Sequence, residues 1–148
     1  MSATAAAMQS LMDIRKFLVA GHAKFTLVSK KTGNRKTFEV LRAPPRPPDQ
    51  VSNGFFVRLL CGPDNGSDFR YLGFMAEKGV NLYFYPNKQG WGGEAAEAFR
   101  WLIATRGDAG AFFAQAEFWH AGFCARCGRE LTDPESIARG LGPICAGY

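Results

Sequence analysis

Four residues near the C-terminus constrain this chain more than any other feature. Cys124 and Cys127 form a Cys-x-x-Cys pair, His120 lies four positions before it, and Cys145 lies 18 positions after it. A Cys-x-x-Cys turn lets two thiolates reach one ion, and Gly128 directly after it eases the tight backbone. Zinc in closed structural sites takes four tetrahedral ligands. We therefore predict one structural zinc ion, held by Cys124, Cys127, Cys145 and His120.

Other roles for these residues and other ligands stay open. The cysteine pair could be a redox centre or be unmetallated, although it lacks the strand–motif–helix setting of thioredoxin folds and a third cysteine is present. Cys61 is a rival ligand, but it lies in an apparent strand where a buried free thiol is the simpler explanation. His22 has no motif around it, and His120 could instead be a packed neighbour of Trp119.

The segment between the predicted ligands is too short to bury much surface. Thr132 or Asp133 can cap a short helix that begins at Pro134, but such a turn adds little apolar contact. Structural zinc contributes roughly 10–16 kcal/mol in modules of this size. We therefore expect residues 118–148 to be loose when no metal is bound.

The preceding 117 residues are typical of an α+β domain. Hydrophobic residues make up 47% of the chain, and 13 Phe, 4 Tyr and 3 Trp can fill a core. Apolar periodicity predicts helices over residues 4–20 and 94–106, and alternation predicts strands near 24–29, 36–41, 55–61, 71–75 and 80–85. We expect a small antiparallel sheet of about five strands covered by helices in residues 1–117, and a zinc-finger-like module in residues 118–148.

The first predicted hairpin has a clear alternation and turns at 31–34. Its core-facing side chains are predicted to be Phe25, Leu27, Phe38 and Val40, and the opposite face is predicted to carry Lys24, Thr26, Lys36 and Thr37. Residues 1–50 hold nine Lys or Arg against three acids, while the whole chain has a net charge of +5. Lys30, Lys31, Arg35 and Lys36, with Phe55 or Phe56 nearby, could therefore bind nucleic acid or a partner. The alternative is an ordinary solvated surface.

The sequence does not indicate catalysis or a membrane protein. It contains no His-Glu-x-x-His pattern, no deaminase pattern and no Walker loop, so that we expect a binding protein and not an enzyme. No apolar run approaches the roughly 20 residues of a spanning helix. The N-terminus lacks the features of a secretory signal, and four cysteines do not suggest a disulfide scaffold. We expect a soluble cytoplasmic protein with no membrane partner.

The C-terminal stretch Cys124-x-x-Cys127-Gly-Arg-x-Leu-Thr-Asp-Pro-Glu-Ser-Ile-Ala-x-Gly-Leu-Gly-Pro-x-Cys145, preceded by His120, resembles a small Cys-rich domain of phage, plasmid and actinobacterial proteins. The resemblance covers about residues 118–148. It implies zinc binding and mobile-element biology, and no chemical reaction. Our first hypothesis is therefore an inhibitor that binds a protein or ribonucleoprotein target, such as a CRISPR effector nuclease, in the manner of an anti-CRISPR. The alternatives are direct DNA or RNA binding by the basic N-terminal half, and a structural subunit of a phage assembly.

Overall fold

The described residues form one antiparallel sheet and three short helices. A computed structural model describes residues 6–44, 53–62, 68–104, 109–120 and 122–126. The strands are β1 (Ala6–Met8), β2 (His22–Ser29), β3 (Arg35–Arg42), β4 (Gly54–Leu60), β5 (Phe69–Lys78), β6 (Asn81–Pro86) and β7 (Ala116–His120). The helices are α1 (Leu11–Leu18), α2 (Gly93–Ala104) and α3 (Ala109–Gln115). The strand order across the sheet is β1-β7-β2-β3-β4-β5-β6.

Five consecutive strands, β2 to β6, follow one another as an antiparallel meander. Apolar residues alternate with polar ones along much of these strands, and this alternation gives each strand one face that can be buried. The predicted hairpin is confirmed: β2 pairs with β3, and Phe25, Leu27, Phe38 and Val40 are all buried. The prediction for Lys36 is wrong. Lys36 lies opposite Leu27 on the buried face, where its ammonium group reaches Glu94 of α2.

The helices pack against one face of this sheet. Ser10 caps α1 by accepting a hydrogen bond from the Asp13 amide at 3.3 Å, and α1 then buries Ile14, Phe17 and Leu18. Phe99 of α2 contacts the rings of Phe38 and Phe84. In α3, Phe112 stacks on Trp101 of α2. None of the described helices is long and apolar enough to cross a membrane.

The two strands that the sequence did not predict lie together at one side of the sheet. β7 pairs with β2 on one side and with β1 on the other. β1 falls within the predicted helix 4–20, and among the described residues of that range only Leu11–Leu18 are helical. A three-residue strand shows no periodicity of its own, and pairing with β7 overrides the helix preference of an alanine-rich segment.

The predicted fold class is therefore wrong. The described residues form seven strands and not about five, and their three helices have 8, 12 and 7 residues, so that this part of the chain is mostly sheet with one face uncovered by helices. The predicted zinc-finger-like module is not seen in the described residues, and residues 127–148 lie outside them. β7 spans the predicted domain boundary between residues 117 and 118.

A β-bulge changes the alternation of β5. The register between β4 and β5 shifts at Val57/Arg58, because Val57 pairs with Gly73 whereas Arg58 pairs with Tyr71. Leu72 is the extra residue, and it is fully buried. As a consequence, Tyr71 and Phe74 face the same side of the sheet although they are three residues apart.

Close packing at Gly73 provides a test of this arrangement. A Cβ atom at Gly73 would lie 2.6 Å from the backbone oxygen of Tyr85 and 2.5 Å from the Phe84 ring. We expect Gly73→Ala to lower the free energy of unfolding by about 1–3 kcal/mol, because the strands must separate. Gly93→Ala is the matched control, since no atom lies within 4 Å of its added Cβ. Urea unfolding should show no decrease in the free energy of unfolding for Gly93→Ala. Equal free energies of unfolding for the two variants would contradict the close packing of β5 on β6.

Candidate functional site

The first candidate site lies at the C-terminal end of β7. Along this strand Ala116, Phe118 and His120 point to the helix-covered face and are buried. His120 lies opposite Phe25 on β2, and its ring centroid is 6.0 Å from that of Phe17 on α1. His120 is only 1% exposed, so that the strand places an imidazole inside the fold.

Gly122, two residues after His120, forms a bend. Gly122 has a φ of +90°, a conformation that glycine adopts without strain, and its N–H donates to Nδ1 of His120 at 2.9 Å. Nδ1 can accept this bond only when it carries no proton, so that the proton of the neutral ring is on Nε2. A metal ion at Nδ1 would replace the Gly122 hydrogen bond. A metal ion at Nε2 would move the proton to Nδ1, and Gly122 would then have to turn away.

Cys124 lies two residues beyond this bend. Its side chain is 1% exposed, and its Sγ accepts a hydrogen bond from the Arg126 amide at 3.5 Å. Amide donors of this kind stabilise a thiolate, which is the form that binds metal. The segment is tied to the sheet, because the His22 amide donates to the Ala125 carbonyl at 2.6 Å. His120 and Cys124 are thus two buried donors on a short, anchored segment.

An imidazole and a thiol, as in His120 and Cys124, are ligands that zinc takes in closed structural sites. They are, however, only two of the four predicted ligands. Cys127 and Cys145 lie outside the described residues. Within the described part of the chain, no group of three or more His, Cys, Asp or Glu side chains could hold a metal ion. The zinc site with His120, Cys124, Cys127 and Cys145 therefore stays a prediction.

The two rival ligands lie elsewhere. Cys61 was expected to be a buried thiol in a strand, but it is exposed just beyond the end of β4. Its thiol donates to the Leu59 carbonyl at 3.4 Å. His22 begins β2 on the face opposite to the buried Ala23, and its Nε2 lies 3.6 Å from the Glu39 carboxylate. The His22 imidazole therefore lies on the face of the sheet opposite to that of His120.

Half of the predicted basic binding set is engaged within the protein. Lys30 donates to the Phe113 carbonyl at 2.5 Å, and Lys36 lies 2.9 Å from Glu94. Lys31 and Arg35 are exposed near the tip of the β2–β3 hairpin. Lys30 is exposed as well, so that the hairpin offers three exposed cations, Lys30, Lys31 and Arg35, whereas Lys36 is paired with a carboxylate.

A second candidate site is the face of the sheet opposite to the helices, which we call the open face. Phe56 on β4 pairs with Phe74 on β5, and Phe74 pairs with Tyr85 on β6. Cross-strand partners share one face, and so these rings lie side by side. Five large aromatic side chains of the open face are between 37% and 49% exposed: Phe56, Tyr71, Tyr83, Tyr85 and, on β7, Trp119.

Beside these rings the open face carries a charge cluster centred on Glu39. The Glu39 carboxylate lies 2.8 Å from Arg58, 3.6 Å from His22 and 4.0 Å from Lys24. The Glu39 side chain is only 9% exposed, whereas its basic partners are between 29% and 50% exposed. Glu39 therefore lies beneath these partners and holds the cationic groups of Arg58 and Lys24 at the surface. Lys24 and Arg58 also lie 5.2 Å and 5.8 Å from the Phe69 ring centroid.

This face was not predicted from the sequence, although part of its pattern is visible there. Tyr83 and Tyr85 flank the buried Phe84, which is the alternation of a strand with one aromatic face outward. The position of Tyr71 beside Arg58 depends on the bulge at Leu72, which no alternation reveals.

Comparison with known proteins gives one match. Residues 114–148 match the model of DUF6011, a family of unknown function. The match covers less than a quarter of the chain, and it includes β7 and all four predicted zinc ligands. No curated protein and no solved structure matches the chain. The segment that resembles an uncharacterised family thus supplies a strand that lies between β1 and β2.

The Glu39 cluster leads to a stability prediction. Glu39→Gln removes the charge that compensates Arg58 and Lys24, and we expect it to lower the free energy of unfolding by about 1–2 kcal/mol. Glu97→Gln is the matched control, because Glu97 pairs with Arg100 at 3.2 Å but is 74% exposed. We expect a change below about 0.5 kcal/mol for the control. Chemical unfolding measures both changes. An equal decrease in the free energy of unfolding for Glu39→Gln and Glu97→Gln would contradict the structural role of Glu39.

Proposed function

We propose that this protein is a non-enzymatic, zinc-stabilised binding protein that acts on a nucleic acid or a nucleic-acid-containing complex. The observation that carries the zinc part is that both His120, the last residue of β7, and Cys124, four residues further along the chain, are buried. The ligands Cys127 and Cys145 would complete the site. The absence of catalytic sequence patterns supports a binding role.

In this proposal the metal has a structural role in the sheet. β7 is held between β1 and β2, and the segment after it is fixed by the His22–Ala125 hydrogen bond. His120 and Cys124 would bind zinc with Cys127 and Cys145, and the ion would fasten the chain beyond β7 to this corner of the fold. Bound zinc supplies the cross-link, and the chain supplies the buried donors and the Arg126 amide that stabilises the sulfur.

The partner class follows from charge and exposed rings. The chain carries a net charge of +5, which disfavours mimicry of DNA and favours contact with phosphate. Exposed aromatic residues beside Arg58 and Lys24 support a nucleic-acid partner over an uncharged one. The resemblance of the C-terminal stretch supports a phage or plasmid origin and action in the host cytoplasm. In that setting a ribonucleoprotein such as a CRISPR effector would be a target of this chemistry.

Elemental analysis of the purified protein tests the zinc part. We expect one zinc per chain, and we expect its removal by a chelator to lower the melting temperature, because the C-terminal chain loses its cross-link. Cys124→Ser should lose the zinc. Cys61→Ser is the matched control, since this thiol is exposed and distant from the site in sequence, and it should keep one zinc per chain.

Two results would contradict the zinc site. One is a folded wild-type protein without zinc after expression in zinc-supplemented medium. The other is a full zinc content in Cys124→Ser, which would show that the ion is held elsewhere.

A further inference from the structure

We propose that the open face of the sheet binds a single-stranded nucleic acid, with bases stacked on the rings of β4, β5 and β6 and phosphates beside the neighbouring cations. The proposal rests on the nucleic-acid part of the proposed function, for which it names the surface and the strandedness. It does not depend on zinc.

The aromatic residues form a connected row across three strands. The Phe56 ring meets those of Phe74 and Tyr71 edge to face, with centroids 6.1 Å and 6.2 Å away. Tyr85 lies beside Phe74 in the register, and Tyr83 lies two pairs further along on the same face, opposite Ala76. The tyrosines are between 43% and 49% exposed. Single exposed apolar residues are common on protein surfaces, whereas a contiguous exposed patch of large rings is typical of a binding surface.

Small residues keep this surface shallow. Gly54 pairs with Ala76, and a Cβ at Gly54 would lie 2.2 Å from the Phe74 ring. The Phe74 ring therefore rests directly on the backbone of β4, between Phe56 and Tyr85. Gly54 has no side chain and Ala76 has only a methyl group, and so a planar base can reach the rings.

The charge of the open face is complementary to phosphate. By the strand register the face carries four cations, Lys24, Arg35, Arg58 and Lys78, and two carboxylates, Glu39 and Glu117. Glu39 is buried beneath its basic partners, which leaves the positive groups outermost. Arg58 pairs with Tyr71, and the Lys78 ammonium lies 5.5 Å from the Tyr83 ring centroid. Cations therefore border the aromatic row at both ends.

This combination favours single strands. The faces of bases are hidden in a duplex, whereas a single strand can present each base to a ring and its backbone to nearby cations. A duplex would contact only the cations. An uncharged peptide would use the rings but gain nothing from Arg58, Lys24 and Lys78.

Fluorescence anisotropy on the full chain tests the proposal. The probes are a labelled single strand of about 16 nucleotides, as DNA and as RNA, and the corresponding DNA duplex. We expect Tyr71→Ala and Tyr85→Ala each to raise the Kd for the single strands by roughly 5- to 100-fold, because a stacked base is lost. Tyr85→Phe keeps the ring and should stay within about twofold of the parent.

Two further variants separate stacking from charge and from general surface effects. Lys78→Ala should reduce the slope of log Kd against log salt by about 0.7, the value for one phosphate contact with a single strand. Met12→Ala is the matched control, because Met12 is a 69% exposed apolar residue of α1, on the other side of the sheet. Its Kd should equal that of the parent. Circular dichroism confirms that each variant is folded.

Several outcomes would overturn the proposal. Unchanged affinity in both tyrosine variants would do so, as would a duplex that binds as tightly as the single strand. If Lys30→Ala and Lys31→Ala abolish binding while the tyrosine variants keep it, the site is the β2–β3 hairpin, and the nucleic-acid function stands without this surface. No binding of any probe at low salt would overturn both this proposal and the nucleic-acid part of the proposed function. The zinc content measured by elemental analysis does not depend on the outcome of any of these binding experiments.

Discussion

The stacking of Phe118 on Phe25 joins the last strand of the described chain to its first hairpin. Their ring centroids are 4.4 Å apart, and Phe25 in turn stacks on Phe38 at 5.4 Å. From Phe38 the contacts continue through Phe99 of α2 to Phe84 of β6. A chain of buried rings thus connects β7 with the far edge of the sheet, and α1 adds Phe17 edge-on to Phe118. Because each ring touches the next, truncation of one ring leaves a cavity that its neighbours share.

This apolar row fixes which face of every strand is buried, and so it also determines the opposite face. Once Phe25 and Phe38 point towards the helices, the strand period places Lys24 and Glu39 on the other side. The position of His120 follows from the same register, because it lies opposite Phe25 on β7. Both candidate sites therefore depend on one set of pairings, although they lie on opposite faces of the sheet.

Local alternation made part of this arrangement predictable. The β2–β3 hairpin and the inward positions of Phe25 and Phe38 follow from two-residue periodicity, and α2 follows from its helical pattern. The strand β1 was missed because its stability comes from β7, more than 100 residues away in the sequence. The open-face row was missed because the bulge at Leu72 changes the alternation of β5. The four zinc ligands were predicted from their residue types and spacing. These indicate which metal the residues could bind, but they do not reveal that His120 lies on a strand.

The order of the strands in space has a consequence for biosynthesis. Strands β2 to β6 can pair as they leave the ribosome, since each neighbour in the sheet is also the next strand in the chain. The outer edge of β2 has no such early partner, because Phe25 pairs with His120, 95 positions later. During translation this edge exposes unpaired backbone groups until β7 emerges, and unpaired edges of this kind recruit other chains. Because β7 is synthesised last among the described strands, it covers the edge of β2 late, and its pairing then prevents other chains from adding to that edge.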